Sequence, residues 1–491
     1  MRRGQFVLGT ASTLPLVGLA GCSSHNPLVP QTGAGAGFGS QAVRFPADHF
    51  FAQTQAAGSC PVGPLLKASL NSITGFPDKK LFALLNQVAS GKTTVPQAMV
   101  AHNMLNKYAN IGNVPKPGYK FSFPLDNGEH FDTSIEWRYL TLSMPLKGGG
   151  LVSVMVNFFR NALVPPSVMP SLKPVERQLY SNSVGVTVEL PGRPGVHYAW
   201  PIYALSGCDV EIGNPPFKMV LGRNFLKGTN TIFPLHMHLE DPGDWSVGRP
   251  SCVIDVEVEG TNPYFLQGKD GYVGPQDEDP DFAWYYMSWP QQKVTGTFTL
   301  DGVKYTAAAG SKAWMDHQWG GGKQQKSGPI VTGTGWCWFE FQFNGNQSLT
   351  CAVPHEPLVG GKLPQFNAGF GTYVDNGKYF LCLVLMQALA YTKSPSTNAT
   401  YPSAWNLQIL PGDLTNPIAL VVTPTCTVEP QVEWMMGINE YSEANCTVTA
   451  QGSVGTKAVN LTGVGYCEGV GFEDPREQQA RQMAYLKQSL T

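Results

Sequence analysis

Phe339-Glu340-Phe341-Gln342-Phe343, then Asn344-Gly345, then Leu349-Thr350-Cys351-Ala352-Val353 is the stretch that decides the fold class. Aromatic and polar residues alternate with period two in the first run, as in a strand whose neighbours point to opposite faces. Asn-Gly between two such runs is a strong hairpin signal, because both residues tolerate the positive φ of a tight turn. The pattern repeats upstream. Gly149-Gly150 precedes Leu151-Val152-Ser153-Val154-Met155-Val156, and Asp301-Gly302 precedes Val303-Lys304-Tyr305. Strand texture runs from about Tyr119 to about Gly471 without a long helical crossover, so the expected class is all-β, with antiparallel sheets in a sandwich or barrels.

Composition agrees. Charged residues make up 14% of the chain and aromatics 11%, with 54 Gly and 39 Pro. An average domain carries about 25% charge. Few charges with many turn-formers suit short strands. The formal net charge is −2 and no basic run stands out, so no nucleic-acid partner is expected. The strand-rich part is too long for one ordinary β domain, and a division near residue 306 is expected, giving 119–305 and 306–472.

Outside these lie different textures. Residues 45–118 read as a helical lead-in, with helical spacing at Leu65 to Leu70, Lys79 to Ala89 and Val95 to Ala109. Residues 473–491 read as a polar C-terminal helix. At the start, Arg2-Arg3 and an apolar run from Phe6 to Ala20 have the parts of a secretory signal over residues 1–21. Arg2-Arg3-Gly4-Gln5-Phe6 is similar to a twin-arginine signal, with Phe6 one place late. Leu19-Ala20-Gly21-Cys22 resembles the bacterial lipobox, which implies cleavage before Cys22 and lipid on its thiol. The expected protein is therefore exported and anchored to a bacterial membrane, on the periplasmic side, through Cys22 and a flexible tether over 22–44. Of the ten cysteines, nine remain beside Cys22; no CxxC occurs, and buried free thiols are the simplest reading.

Several segments resemble one family. Glu136-Trp137-Arg138-Tyr139 is similar to its Glu-Trp-Trp-Tyr strand, and Phe158-Phe159-Arg160 to the strand that follows. Leu266 to Tyr272 is similar to its Gly-x-x-Gly loop, and Tyr285-Tyr286-Met287-Ser288-Trp289-Pro290 to its Tyr-Tyr-Ser strand. Trp314-Met315-Asp316-His317-Gln318-Trp319-Gly320 and Gly335-Trp336-Cys337-Trp338-Phe339 follow, then Gly465-Tyr466-Cys467-Glu468. In this order they resemble the lipocalin-like group of carotenoid 1,2-hydratase and the AttH-type secreted proteins, with fungal decalin-forming Diels–Alderases and kievitone hydratase as distant members. The resemblance implies two lipocalin-like (calycin) β-barrel domains. It does not settle activity, because one fold hosts several reactions. Arg138 departs from the pattern by placing a charge where the family has an indole, and Cys337 stands where Asp is common.

Hydration of an alkene needs an acid to protonate carbon, a stabilised cation and a placed water. Burial keeps a carboxyl protonated, aromatic faces stabilise a cation, and His or a second carboxylate accepts a proton. Asp316 is the expected acid, with His317 and Glu136 as further catalytic candidates. Adjacent strand residues face opposite sides, so Asp316 and His317 are not expected to act on one ligand together. Trp314, Trp319, Trp336, Tyr286 and Tyr139 are the expected pocket walls. The alternative for the Asp316 segment is a bridge between the barrels, and for Glu136 an ion pair with Arg138 on the same strand face. His236 and His238 share a face; they could line the pocket, and a polar strand face is preferred over a metal site because no third ligand follows. No metal or cofactor is expected. No Gly-x-Ser-x-Gly elbow or phosphate-binding loop is present. The expected function is a cofactor-independent hydratase or dehydratase for an apolar isoprenoid or polyene. The alternatives are a non-catalytic carrier of apolar ligands and a Diels–Alderase-type cyclase.

Overall fold

The computed structural model describes residues 62–490 apart from short internal stretches, the longest being 324–334. The expected signal peptide, Cys22 and the tether lie outside the described residues, as do Cys60 and Cys208. Strands make up 54% of the described residues. Among the described residues there are four helices: α1 (Val62–Asn71), α2 (Lys79–Ser90), α3 (Val95–Leu105) and α4 (Pro475–Gln488).

The strands form two antiparallel sheets. The first runs Val196–Leu205, Gln178–Glu189, Leu151–Ala162, Ile135–Pro145, Lys312–Gly322, Phe282–Leu300, Cys252–Glu259, Leu235–Asp241, then three short strands ending at Val210–Gly213. Among the described residues its two edges do not pair with each other, so it is a curled half-barrel around Leu140, Val154, Val156, Val186, Met237, Ile254 and Met315. The second is a closed eight-stranded barrel. It starts at Gly335–Phe343, and Lys457–Val470 returns to pair with that strand, while Ile418–Cys426 pairs with Asn439–Val454 to complete the ring. Of the two barrels expected, one closes by hydrogen bonding and the other stays open.

The boundary between sheets also moves. Lys312–Gly322 lies in the first sheet, between Ile135–Pro145 and Phe282–Leu300. The division expected near residue 306 therefore falls after Gly322. The pairing of residues 312–320 with 135–143 is non-local, and local strand texture carries no trace of it.

Turn chemistry matches the sequence. Asp301 (φ 47°) and Gly302 (φ 76°) make a two-residue turn between Leu300 and Val303, and Asn376 (φ 48°) and Gly377 (φ 79°) make another between Asp375 and Lys378. Two successive positive φ values mark the turn type whose twist suits a hairpin. In α2, Asp78 accepts hydrogen bonds from the Lys80 and Leu81 amides at 2.9 Å each and caps the helix. The α2 residues Leu81, Leu84, Leu85 and Val88 then face one way at helical spacing. They pack with Leu66, Met99, Leu486 of α4, and Leu163 and Leu179 from the half-barrel, so the lead-in caps one flank of that sheet. Among the described residues no helix is long and apolar enough to cross a membrane.

Candidate active site

Period two divides the Trp-flanked strand between two environments. Ala313, Met315 and Trp319 join the half-barrel core, whereas Trp314 joins a separate aromatic cluster with Tyr139, Phe159, Trp338, Tyr441 and Tyr466. That cluster lies where the outer face of the half-barrel meets the barrel. The barrel strand Gly335–Phe343 divides the same way: Cys337, Phe339, Phe341 and Phe343 fill the barrel, and Trp338 faces the half-barrel.

Asp316 sits in this inter-sheet layer. Its Oδ2 accepts from Tyr286 Oη at 2.7 Å, and its Oδ1 from Ser288 Oγ at 2.5 Å and Trp314 Nε1 at 2.7 Å. Trp314 N–H can only donate. Tyr286 Oη takes the Trp338 N–H at 3.3 Å, and Ser288 Oγ takes the Gln267 amide at 2.9 Å, which leaves each hydroxyl proton free for Asp316. Burial raises the Asp316 carboxyl to about 7, against the pull of the Ser288, Tyr286 and Trp314 hydrogen bonds.

Three more carboxyls share the layer. Glu340 is fully buried; Thr141 Oγ1 donates to its Oε1 at 2.7 Å, and its Oε2 has no hydrogen-bond partner. Burial lifts Glu340 to about 8, with Asp316 adding to the rise. Glu443 and Glu468 are in-register partners on adjacent barrel strands, hydrogen-bonded to each other. Tyr139 Oη lies 3.1 Å from both Glu443 oxygens, and Trp336 Nε1 donates to Glu468 Oε1 at 2.8 Å. Burial brings Glu468 to about 7.

Inside the half-barrel lies a second polar cluster, and Glu136 is its hub. Its Oε1 lies 2.6 Å from His317 Nε2 and 2.9 Å from His130 Nδ1, and its Oε2 lies 3.3 Å from Arg160 Nε. Arg138 pairs mainly with Glu129, at 2.5 Å, and donates to the carbonyls of Asn127 and Gly128; Glu136 lies 3.6 Å away. The charge at the departing position is thus neutralised by a loop carboxylate, and Glu136 belongs to a larger network than the expected pair. Burial would depress the His130 imidazole, but Glu136 and Asp126 outweigh it and raise it to about 9. Burial lowers His317 to about 3. Trp319 stacks flat on His130 with ring centres 3.8 Å apart. His130, Glu136 and His317 offer ligand atoms within 4.8 Å of one another, the donor set of a metal site. Here Arg138 and Arg160 already supply the cationic charge, so the set is a self-neutralised ion network.

The expected site residues therefore separate. Asp316, Trp314, Tyr286 and Tyr139 come together between the sheets. Glu136, His317 and Trp319 lie inside the half-barrel, so Trp319 is not a wall beside Asp316. Trp336 is 36% exposed at the rim of the layer, and Trp338 takes the inner place expected for it. His236 and His238 lie on the outer face of the half-barrel, both bonded to Asp255, at 2.9 and 3.1 Å. They stand apart from both clusters, because Leu235, Met237 and Leu239 take the inward face of that strand. The seven described cysteines are free thiols, six of them buried.

Glu340, Glu443, Ser288 and Trp338 were not expected as site residues. Glu340 carried a signal: it alternates with three aromatics that fill a barrel, next to Trp336 and Trp338 on its own face. A carboxyl flanked by indoles does not suit a solvated face.

The model of the AttH-like family matches residues 114–472. A crystal structure of an AttH protein from Nitrosomonas europaea is similar at 20% identity and a TM-score of 0.55, covering 74% of this chain and 99% of that one. Kievitone hydratase from Nectria haematococca is similar at 14% identity and a TM-score of 0.50, covering 74% and 96%. At these identities the likeness is one of fold. No curated protein sequence matches the chain.

Proposed function

This chain belongs to the AttH-like family, and we propose that it is a hydratase-type enzyme whose inter-sheet acid layer adds water to, or removes it from, a carbon–carbon double bond. The finer reading is an apolar isoprenoid or polyene substrate and no cofactor. One observation carries the proposal: Asp316 is a buried carboxyl set among Trp314, Tyr286 and Ser288, and burial raises it to about 7, near neutral pH. A proton-transfer group works best when its pKa is near that pH. The indoles of Trp314 and Trp338 and the phenol of Tyr286 surround it, and aromatic faces suit a developing carbocation. A structural neighbour bearing the name hydratase adds support. Trp314, Asp316 and Glu340 are all buried, so substrate reaches them only when side chains between the sheets move aside.

A carrier would need an empty apolar lumen. The barrel interior is occupied instead by Cys337, Phe339, Phe341, Tyr373, Trp405 and Leu407, all nearly or wholly inaccessible, which favours the enzyme. We further propose an exported lipoprotein anchored at Cys22, on the strength of Leu19-Ala20-Gly21-Cys22. An anchor keeps the enzyme where apolar substrates partition.

The test compares wild type with Asp316→Asn, each incubated with isoprenoid alkenols and a bacterial lipid extract, by mass spectrometry. Gain or loss of the mass of one water by wild type alone supports the proposal. Unchanged ligand bound equally to both proteins refutes it. Cys22→Ser should move the protein from the membrane to the soluble fraction; retention on the membrane would refute the anchor.

A further inference from the structure

We propose that Glu340 is the proton donor of this site and that Asp316 works opposite it as the anionic base. The assignment rests on the hydratase reading above and reverses the role expected for Asp316 from the sequence.

Hydrogen bonding sets the two carboxyls apart. Asp316 accepts from three groups: Trp314 can only donate, and the Tyr286 and Ser288 hydroxyls, each accepting from Trp338 or Gln267, have their protons free to give to it. A proton on Asp316 would have to turn one of the two hydroxyl bonds around. Three donors in a dry layer are the surroundings of a carboxylate.

Glu340 is placed the other way. Thr141 donates to Oε1, which therefore remains an acceptor, and the Gln342 side chain also bonds the carboxyl. Oε2 is fully buried with no partner, and an ionised oxygen left so would carry the full cost of desolvation. A proton on Oε2 removes the charge and gives the group something to donate to a ligand. Lys312, whose charge reaches Glu340, is engaged elsewhere: its Nζ bonds the Phe343 carbonyl at 3.1 Å and reaches Gln291 Oε1 at 3.4 Å. Burial raises the Glu340 carboxyl, and the Asp316 charge adds to the rise, in keeping with a proton held on Glu340.

The two carboxyls also suit one substrate. Thr141 is the in-register partner of Trp314, and Trp314 is two residues from Asp316 on one strand face. Thr141, which bonds Glu340, and Asp316 therefore lie on neighbouring side-chain rows of one face, and the Asp316 charge is felt at Glu340. In the hydration direction, Glu340 Oε2 gives its proton to one alkene carbon, and the π electron pair forms the new C–H bond. A water oxygen bonds to the other carbon while Asp316 takes the proton that this water loses. Transfer of a proton from Asp316 back to Glu340 resets the site. Elimination runs the same steps backwards.

The test needs no substrate. Infrared spectra of the full chain at pH 7 are recorded for wild type, Glu340→Gln and Asp316→Asn, reading the carbonyl stretch of protonated carboxylic acids. Glu340→Gln should lose one acid band that Asp316→Asn retains. Thr141→Val, which removes the donor on Oε1, should shift that band without deleting it. Loss of the band in Asp316→Asn with retention in Glu340→Gln would overturn the assignment, as would identical spectra for all three. The double difference removes any band from the Glu443–Glu468 pair. Circular dichroism identifies a variant that has failed to fold, and Thr141→Val then carries the test. If the band behaves as expected but no alkene is hydrated, the protonation assignment stands and the hydratase reading fails.

Discussion

Glu136→Gln removes one negative charge from the half-barrel network and leaves Glu129 and Asp126 alone to face Arg138, Arg160 and a protonated His130. The shape is unchanged, so the effect is electrostatic. Breaking a buried ion network by neutralising one member costs roughly 3–5 kcal/mol. The pH dependence gives a second, independent magnitude. In the folded protein His130 is raised from 6.5 to about 9, mainly by Glu136 acting against burial, a shift worth about 3 kcal/mol at roughly 1.4 kcal/mol per unit. A raised histidine contributes fully below its unfolded value, near 6.5, and that contribution is lost as pH rises through 9. Wild type should therefore exceed the variant most at pH 6, and the gap should shrink by about 3 kcal/mol by pH 10. Urea unfolding followed by tryptophan fluorescence measures this, with Trp319 stacked on His130 as a local reporter. A gap that stays constant or widens over that range would refute the reasoning, because Glu136 would then not be what holds the His130 proton.

Other outcomes follow from the same geometry. Glu340 is raised from 4.5 to about 8, so ionising it disfavours the folded state; wild type should lose stability as pH rises from about 4.5 through 8, by at most about 5 kcal/mol, and Glu340→Gln should lack this loss in matched urea titrations. Phe341→Ala should cost roughly 3–5 kcal/mol in the same assay, because its ring is fully buried inside the closed barrel. Asp78→Ala should cost only about 1 kcal/mol, as loss of the α2 cap.

Much of this architecture was legible in the residues. The alternation around Phe341, the Asp-Gly and Asn-Gly turns and the ordered motifs lead to antiparallel sheets of the AttH type. Helical spacing places α2. Period two alone requires Asp316 and His317 to point apart, and they do. What escaped was set by contacts distant in sequence. Residues 312–320 pair with 135–143, and no local signal shows that this strand completes the first sheet. Glu443 and Glu468 meet only because the barrel's last two strands pair in register. Glu129 reaches Arg138 from a loop, so a charge that looked anomalous on its strand is neutralised in space. Closure of one barrel and not the other depends on whether edge strands meet, which strand texture does not encode.

Conversion of an isoprenoid alkenol in heavy water is the most direct measurement of the central claim. Hydration between the sheets should leave one non-exchangeable deuterium on carbon in the wild-type product, and Asp316→Asn and Glu340→Gln should each lose this incorporation by roughly a hundredfold or more, the scale of removing one positioned acid or base. Equal incorporation by wild type and both variants, or none by any while the ligand remains bound unchanged, would contradict it.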